Sequence, residues 1–238
     1  MESYDIIGKF YDEIMGDQAD IARHIRKFIS GRNPDARSLL EVACGTGALM
    51  KQLSRHYEVM GLDISSTMLA MAHHKFRHIT LYQSNMVDFS LNEKFDVIIC
   101  MNDSINHLLK FSEWKKLFSR VNRHLNEKGV FIFDVNTEHK LKTLSESPPV
   151  VHGFEKNVLI TTVSKSDSLY EWHLRIFEHV DNDRYLEHEE TLYEKAFPLK
   201  NIRDGLSDKF GEIKIYDIDR SRVSPRSERL YFVATKKR

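Results

Sequence analysis

A chain of 238 residues with 41% hydrophobic content suits one domain of moderate size carrying an elaboration. Lys plus Arg and Asp plus Glu stand at 35 each, and a formal net charge of zero argues against nonspecific nucleic-acid binding as the main task. Cys44 and Cys100 give no disulfide framework, and no membrane-length apolar run or signal-peptide pattern is present, so a reducing cytoplasm without a membrane partner is the expected setting.

The hydrophobic rhythm predicts alternating elements. A helix over Gln18 to Ser30 leads to a strand at Ser38 to Val42, a helix at Ala48 to His56 and a strand at Val59 to Asp63. A helix at Ser66 to Lys75, capped by Ser65 or Ser66, precedes a strand at Ile79 to Gln83. Phe95 to Cys100 is an almost unbroken apolar run, as a strand covered on both faces requires. A helix over Ser112 to His124, ending near Gly129, leads into a fifth strand at Val130 to Asp134. Such alternation implies an α/β doubly wound, mainly parallel sheet.

After Asn136 the rhythm changes. Pro148-Pro149 stops regular structure, and strand-like stretches follow at Val158 to Ser164, Tyr170 to Val180 and Arg184 to Ala196, joined by hairpin-like turns. Glu171, Trp172, His173, Arg175 and Phe177 lie on the two-faced second stretch. A helix from Leu199 to Lys209 and strands at Glu212 to Ile218 and Arg229 to Thr235 then resume the core, an antiparallel pair completing seven strands. Arg226 to Arg229 reads as an exposed turn before the last strand, and Lys236-Lys237-Arg238 as a solvated end. The expected division is a core of residues 1–147 and 197–238 with an N-terminal helical cap, and a small antiparallel β insertion over 148–196. That insertion is a candidate lid, substrate element or homodimer contact.

The chemistry concentrates in Leu39 to Gly47, an apolar strand running into Glu41 and a turn of small residues, and in Val59 to Asp63, which ends on a second carboxylate. This is the spacing of one strand-helix-strand unit, and Asp63 is placed to accept from ribose hydroxyls. Counted from Ala43 the first, third and sixth positions are Ala43, Gly45 and Ala48; counted from Gly45 they are Gly45, Gly47 and Met50. Neither register fits a dinucleotide fingerprint, and no Lys-Ser/Thr ending marks a P-loop. The pattern points to a nucleoside cofactor without phosphate.

Glu41 to Gly47 matches the acidic-x-x-x-Gly-x-Gly motif, and the chain over roughly residues 38–136 resembles class I S-adenosylmethionine-dependent methyltransferases. The resemblance implies S-adenosylmethionine held by Glu41, Ala43, Cys44, Gly45 and Gly47 along the turn and by Asp63 on the ribose. It further implies Ile64, Met68, Asn85, Met86 and Met101 around the nucleoside. Asn85 stands where Asp is common; its oxygen can still accept from the adenine amine, with Asp88 as its neighbour.

Phe10-Tyr11-Asp12 resembles the Tyr-Asp opening of small-molecule members, including amino-sugar N-methyltransferases, which implies that Tyr11 closes over cofactor and acceptor; Tyr4-Asp5 repeats the dipeptide. The loop Met101 to Leu109 lies at the carboxyl edge where such sheets bind ligands. Its Ser104-Ile105-Asn106-His107 stretch resembles theirs, making His107 the candidate proton acceptor or substrate-orienting group. No metal is expected: His73-His74 cannot readily face one ion, no His-Glu-x-x-His pattern occurs, and Asp134 and Asn136 match only part of the acidic set of catechol-type enzymes.

The reaction expected is methyl transfer by in-line displacement to an amine or hydroxyl of a small molecule. Balanced charge, the Tyr-Asp segment, the β insertion and the absence of an Asn/Asp-Pro-Pro-aromatic tetrad at Asn102 to Ile105 favour this over macromolecular acceptors. The alternatives are tRNA methylation and a non-catalytic S-adenosylmethionine-binding regulator or scaffold.

Overall fold

The structure, a computed structural model, describes Tyr4 and residues 6–237. Asp5 of the first Tyr-Asp pair and Arg238 of the basic end lie outside the described residues. A single turn of 3-10 helix (Ile7–Phe10) runs into α1 (Tyr11–Met15) and then α2 (Ala19–Ser30). The alternating part follows as β1 (Ser38–Val42), α3 (Ala48–Leu53), β2 (Glu58–Asp63), α4 (Ser66–Lys75), β3 (Thr80–Gln83), β4 (Phe95–Cys100), α5 (Phe111–His124) and β5 (Leu125–Asn136). Next come α6 (Glu138–Ser145), β6 (Val150–Phe154), β7 (Asn157–Ser166), β8 (Leu169–Asp181), β9 (Arg184–Glu194), α7 (Leu199–Ser207), β10 (Phe210–Tyr216) and β11 (Arg229–Lys236).

Seven strands form one sheet in the order β10-β11-β5-β4-β1-β2-β3. β3, β2, β1, β4 and β5 are parallel, while β11 lies antiparallel to β5 and β10. The order reverses beside β1, so the carboxyl ends of β1 and β4 flank the crevice where open sheets accept ligands.

Alternate side chains of each central strand enter different cores. Leu40, Ile98, Phe131 and Phe133 pack with Trp114 and Phe118 of α5 and Ile202 of α7. Leu39, Val97, Ile99 and Ile132 pack on the other face with Ile25 and Ile29 of α2 and with Leu49 and Leu53 of α3. This two-sided covering explains why Phe95 to Cys100 carries almost no polar residue. Phe133 and its cross-strand partner Phe232 stack at 4.7 Å between ring centroids.

The second sheet is a four-stranded antiparallel meander, β6-β7-β8-β9. One face buries Leu159, Leu174, Ile176 and Leu192 against Ile7 and Phe10 of the N-terminal segment. Val163 and Tyr170 pack on Leu141 of α6. Val150 and Val151 on the outer strand are exposed.

Several local expectations are corrected. α3 stops at Leu53 rather than His56, and the chain turns through Ser54 to Tyr57. Gly129 does not end a helix. α5 closes at His124, β5 begins at once, and Gly129 lies inside that strand, where a Cβ would stand 2.7 Å from Leu125 Cβ and 2.8 Å from the Asn126 carbonyl oxygen. The insertion has a fourth strand, β6, that starts directly after Pro149, and α6 precedes it with Thr137 as its N-cap. Neither was visible by period, because α6 buries only Leu141 and β6 only Phe154. Arg229 opens β11 as the strand expectation had it, but it is no part of an exposed turn, its side chain being only 22% exposed.

Candidate active site

The small-residue turn after β1 is shaped by three left-handed residues in succession of odd positions, Ala43 (φ 56°), Gly45 (φ 52°) and Gly47 (φ 77°). Glycine tolerates this conformation freely, whereas a Cβ makes it costly, so Ala43 is held there by its surroundings. Cys44 N donates to the Leu62 carbonyl (3.0 Å) and Gly47 N to the Cys44 carbonyl (2.9 Å), laying the turn against the end of β2. That approach requires Gly61, where a Cβ would meet Cys44 Sγ and Met50 Sδ at 2.8 Å.

Asp63 ties the turn to the next loop. Its Oδ2 accepts from Gly45 N (2.8 Å) and its Oδ1 from Ser65 N (2.9 Å). Glu41, one turn away at the end of β1, is only 3% exposed, and its Oε2 has no hydrogen-bond donor among the described residues. Burial, then the nearby Asp63 charge, push its carboxyl well above the usual range. A buried carboxylate oxygen without a donor is costly unless a ligand supplies one.

A cavity of about 330 Å³ opens beside these groups, lined among others by Ala43, Asp63, Ile64, Asn85, Met86 and His107. Six of the sequence-selected residues thus meet in one space, joined by Leu108, Leu109 and Tyr193, which the sequence did not single out. Asn85 Oδ1 accepts from Val87 N at 3.0 Å. The other selected residues stand around that space rather than in its lining. Cys44 turns its sulfur toward Gly61; Met101 is packed in the core; Met68 lies with its sulfur 3.5 Å from the Cβ position of Gly8. Gly45 sits under the ring edge of Tyr11, 3.9 Å from its Cβ position.

The N-terminal segment lies across the turn. Thr46 Oγ1 donates to one Asp12 oxygen and Lys75 pairs with the other. Both aromatic residues of the repeated dipeptide reach this place, with Tyr4 and Tyr11 edge to face at 6.1 Å. Tyr4 OH contacts His107 Nε2 at 2.6 Å, while His107 Nδ1 contacts the Tyr193 carbonyl oxygen at 2.8 Å. A carbonyl only accepts, so Nδ1 carries the hydrogen and Nε2 accepts from the phenol. Burial lowers the His107 pKa and keeps the ring neutral. Burial and then the carboxylates of Asp103, Glu41 and Asp63 raise that of Tyr11.

A polar network closes the other side. Asn102 (φ 56°) and Asp103 (φ 52°) are both left-handed at the carboxyl end of β4. Asp103 N donates to Asp134 Oδ1 (3.2 Å), and Arg229 pairs with Asp103 and, at 3.3 Å, with Asp134. Asn136 Nδ2 donates to Asp103 Oδ2 and to Glu194 Oε2, each at 2.9 Å. Asn102 Oδ1 is buried without a donor. Burial pushes Asp134 up to about 6 despite Arg229, and pushes Glu194 up to about 8. Glu194 and Arg229 were missed because the end of β9 and the start of β11 are brought to the carboxyl ends of β4 and β5 only by tertiary packing. Asp134 and Asn136 pair with these partners, and no group of three His, Cys, Asp or Glu is arranged to hold a metal among the described residues.

A methyltransferase-domain family model matches residues 39–129, which holds the turn, Asp63, Asn85 and the β4 loop. A structure of an S-adenosylmethionine-dependent methyltransferase from Clostridium acetobutylicum superposes with a TM-score of 0.88 at 25% identity, covering 99% of each chain. The chain carries a class I S-adenosylmethionine-dependent methyltransferase domain. The methyltransferase is also similar to the sugar N-methyltransferase KedS8 from Streptoalloteichus, with a TM-score of 0.83 and 25% identity over 100% of this chain and 94% of that one. A dTDP-3-amino-3,6-dideoxy-alpha-D-glucopyranose N,N-dimethyltransferase of Streptomyces fradiae is 35% identical over 56% of this chain, and the match spans about half, 51%, of that relative's length. No helix of the methyltransferase is long and apolar enough to cross a membrane among the described residues.

Proposed function

We propose that the enzyme transfers a methyl group from S-adenosylmethionine to the amine of a small molecule, with an amino sugar as the acceptor class. One observation carries this reading. The orphaned buried side-chain atoms at the carboxyl edge of β1 and β4, Glu41 Oε2 and Asn102 Oδ1, are both oxygens, the first an acceptor once its carboxyl is ionised by a ligand's positive charge. A site with surplus acceptors and buried carboxylates fits ligands that bring donors and positive charge, as an amino acid's ammonium, a sulfonium and an amine acceptor do. The amino-sugar enzymes among the relatives and structural neighbours support the acceptor class.

In this reading Glu41 compensates the cofactor's positive charge, the backbone of Ala43, Cys44, Gly45 and Gly47 lies along its methionine part, and Asp63 accepts from the ribose. Ile64, Asn85 and Met86 border the adenine, while Met68 and Met101 support the pocket from behind. The cofactor supplies an electrophilic methyl on a cationic sulfur. The chain's residues align it and exclude water, a positioning effect that reaches about 7–11 kcal/mol in favourable intramolecular systems. Tyr11 and Tyr4 form the aromatic wall over the acceptor, and neutral His107 acts by orienting the Tyr4 hydroxyl. Residues 148–196 serve as the acceptor lid on a core of residues 1–147 and 197–238. The exposed Val150 and Val151 support their edge as the contact for a second copy.

The test is transfer of isotopically labelled methyl from S-adenosylmethionine into a cell extract separated into small-molecule, RNA and protein fractions, with dTDP-3-amino-3,6-dideoxyglucose run as a defined acceptor. Label on nitrogen in the small-molecule fraction is the expected result; label confined to RNA or protein overturns the acceptor class.

A further inference from the structure

Glu194 is the last residue of β9, in the second sheet, yet its side chain is inserted at the carboxyl edge of the first and is only 4% exposed. Asn136 Nδ2 is shared between Glu194 Oε2 and Asp103 Oδ2 at 2.9 Å each, so one amide holds two carboxylates side by side. Asn136 is itself fixed, its N donating to Asn106 Oδ1 (3.0 Å) and its Oδ1 accepting from Lys140 Nζ (2.9 Å). Asp103 already has a cation in Arg229, which it shares with Asp134. Glu194 is buried beside the half-buried Asp103 with only a neutral amide bonded to both, so once it ionises its charge is left for a ligand cation to relieve. Independent of this cluster, the 97% of Glu41 that is buried includes an oxygen without a donor, and Tyr11 senses Glu41, Asp63 and Asp103 together.

We propose, on the reading of an amine acceptor above, that Glu194 is the residue that recognises the protonated amine and takes its proton. The ammonium R–NH3+ gives one N–H proton to the Glu194 carboxylate. The freed lone pair then forms the nitrogen–carbon bond as the carbon–sulfur bond breaks, its electrons staying on sulfur. The products are the protonated methylamine and the neutral thioether, and Glu194 returns its proton to solvent when they leave. A carboxyl that burial, then the adjacent Asp103, push up to about 8 is matched to an amine's proton far better than an ordinary glutamate. The charged groups facing it are Asp103 after β4, Lys140 on α6, Arg229 on β11 and, from the N-terminal segment, Tyr4, which also feels Glu190.

The experiment compares two probes that need no acceptor: S-adenosylhomocysteine, and sinefungin, in which a carbon bearing a protonated amine replaces the sulfonium and its methyl. Wild-type protein should favour sinefungin increasingly as pH rises from 6 to 8 and Glu194 ionises. Glu194→Gln should lose at least tenfold of that preference while binding S-adenosylhomocysteine as before. An unchanged preference overturns the role of Glu194 and leaves the methyltransferase reading standing. If Glu194→Gln does not fold, the wild-type pH series decides: a preference that is flat between pH 6 and 8 overturns the proposal, and a rising one supports it. Failure of wild-type protein to bind either probe overturns the cofactor-dependent reading itself.

Discussion

The two sheets are stabilised in different ways, one sealed on both faces and the other covered on one. Strands of the seven-stranded sheet are sealed between two helical layers, so each central residue meets a packed core whichever way it points. The four-stranded sheet is covered on one face by the N-terminal segment and α6, and its outer strand exposes Val150 and Val151. Yet the less buried sheet supplies Tyr193 and Glu194 to the site, and Glu190, which accepts from Tyr4 N and, at 3.0 Å, from Ile7 N. The parallel sheet holds the turn; the antiparallel one brings Tyr193 to the cavity lining and Glu194 to Asn136. Loops and appended elements can change without unfolding the core, which fits the proposed role of residues 148–196 at the acceptor.

That contrast is most directly challenged by paired truncations. Ile98→Ala, in the middle of β4, should destabilise the protein by about 2–5 kcal/mol through lost burial and an unfilled cavity. Val151→Thr, on the exposed outer strand, should stay within about 0.5 kcal/mol. Chemical denaturation with a common m-value checks both; equal losses would mean that the outer strand is covered in solution.

A second expectation sharpens the role of the junction between the sheets. Glu194 has a folded pKa of about 8, above its unfolded value, so the folded state holds a proton that the unfolded state has released. Its contribution is therefore unfavourable to folding once the unfolded carboxylate ionises: stability falls as pH rises from about 4.3 toward 8 and levels off above, by on the order of a few kcal/mol at most. Glu194→Gln should flatten that part of the stability curve between pH 5 and 9, measured by thermal or urea unfolding. A wild-type curve that does not fall there would show that Glu194 is ionised with a compensating cation.

The smallest expected effect tests strain within the rigid sheet. Ala43 holds φ at 56°, where a Cβ costs about 1–2 kcal/mol and glycine's larger unfolded-state freedom returns part of any gain. Ala43→Gly should thus stabilise the protein by no more than about 1 kcal/mol, read as a modest rise in thermal midpoint. A loss of stability would instead show that the Ala43 methyl packs favourably where it lines the cavity.

The sequence by itself determined the alternating part of the fold, the small-residue turn and the place of Asp63 at the end of β2, because each rests on local chemistry. An apolar run like Phe95 to Cys100 needs two covered faces, and a turn before a helix needs residues that accept positive φ. The helix after Asn136, the fourth strand of the second sheet and the interior place of Gly129 were not legible, since these segments carry little apolar period and Gly129 is required by close packing on Leu125. Only tertiary structure decided that Tyr4 and Tyr11 both reach the site, that His107 is a neutral partner of Tyr4, and that Arg229 and Glu194 meet Asp103. The contacts that bring them together span long stretches of chain, 126 positions between Asp103 and Arg229, and no local pattern records a contact formed by closing so long a stretch.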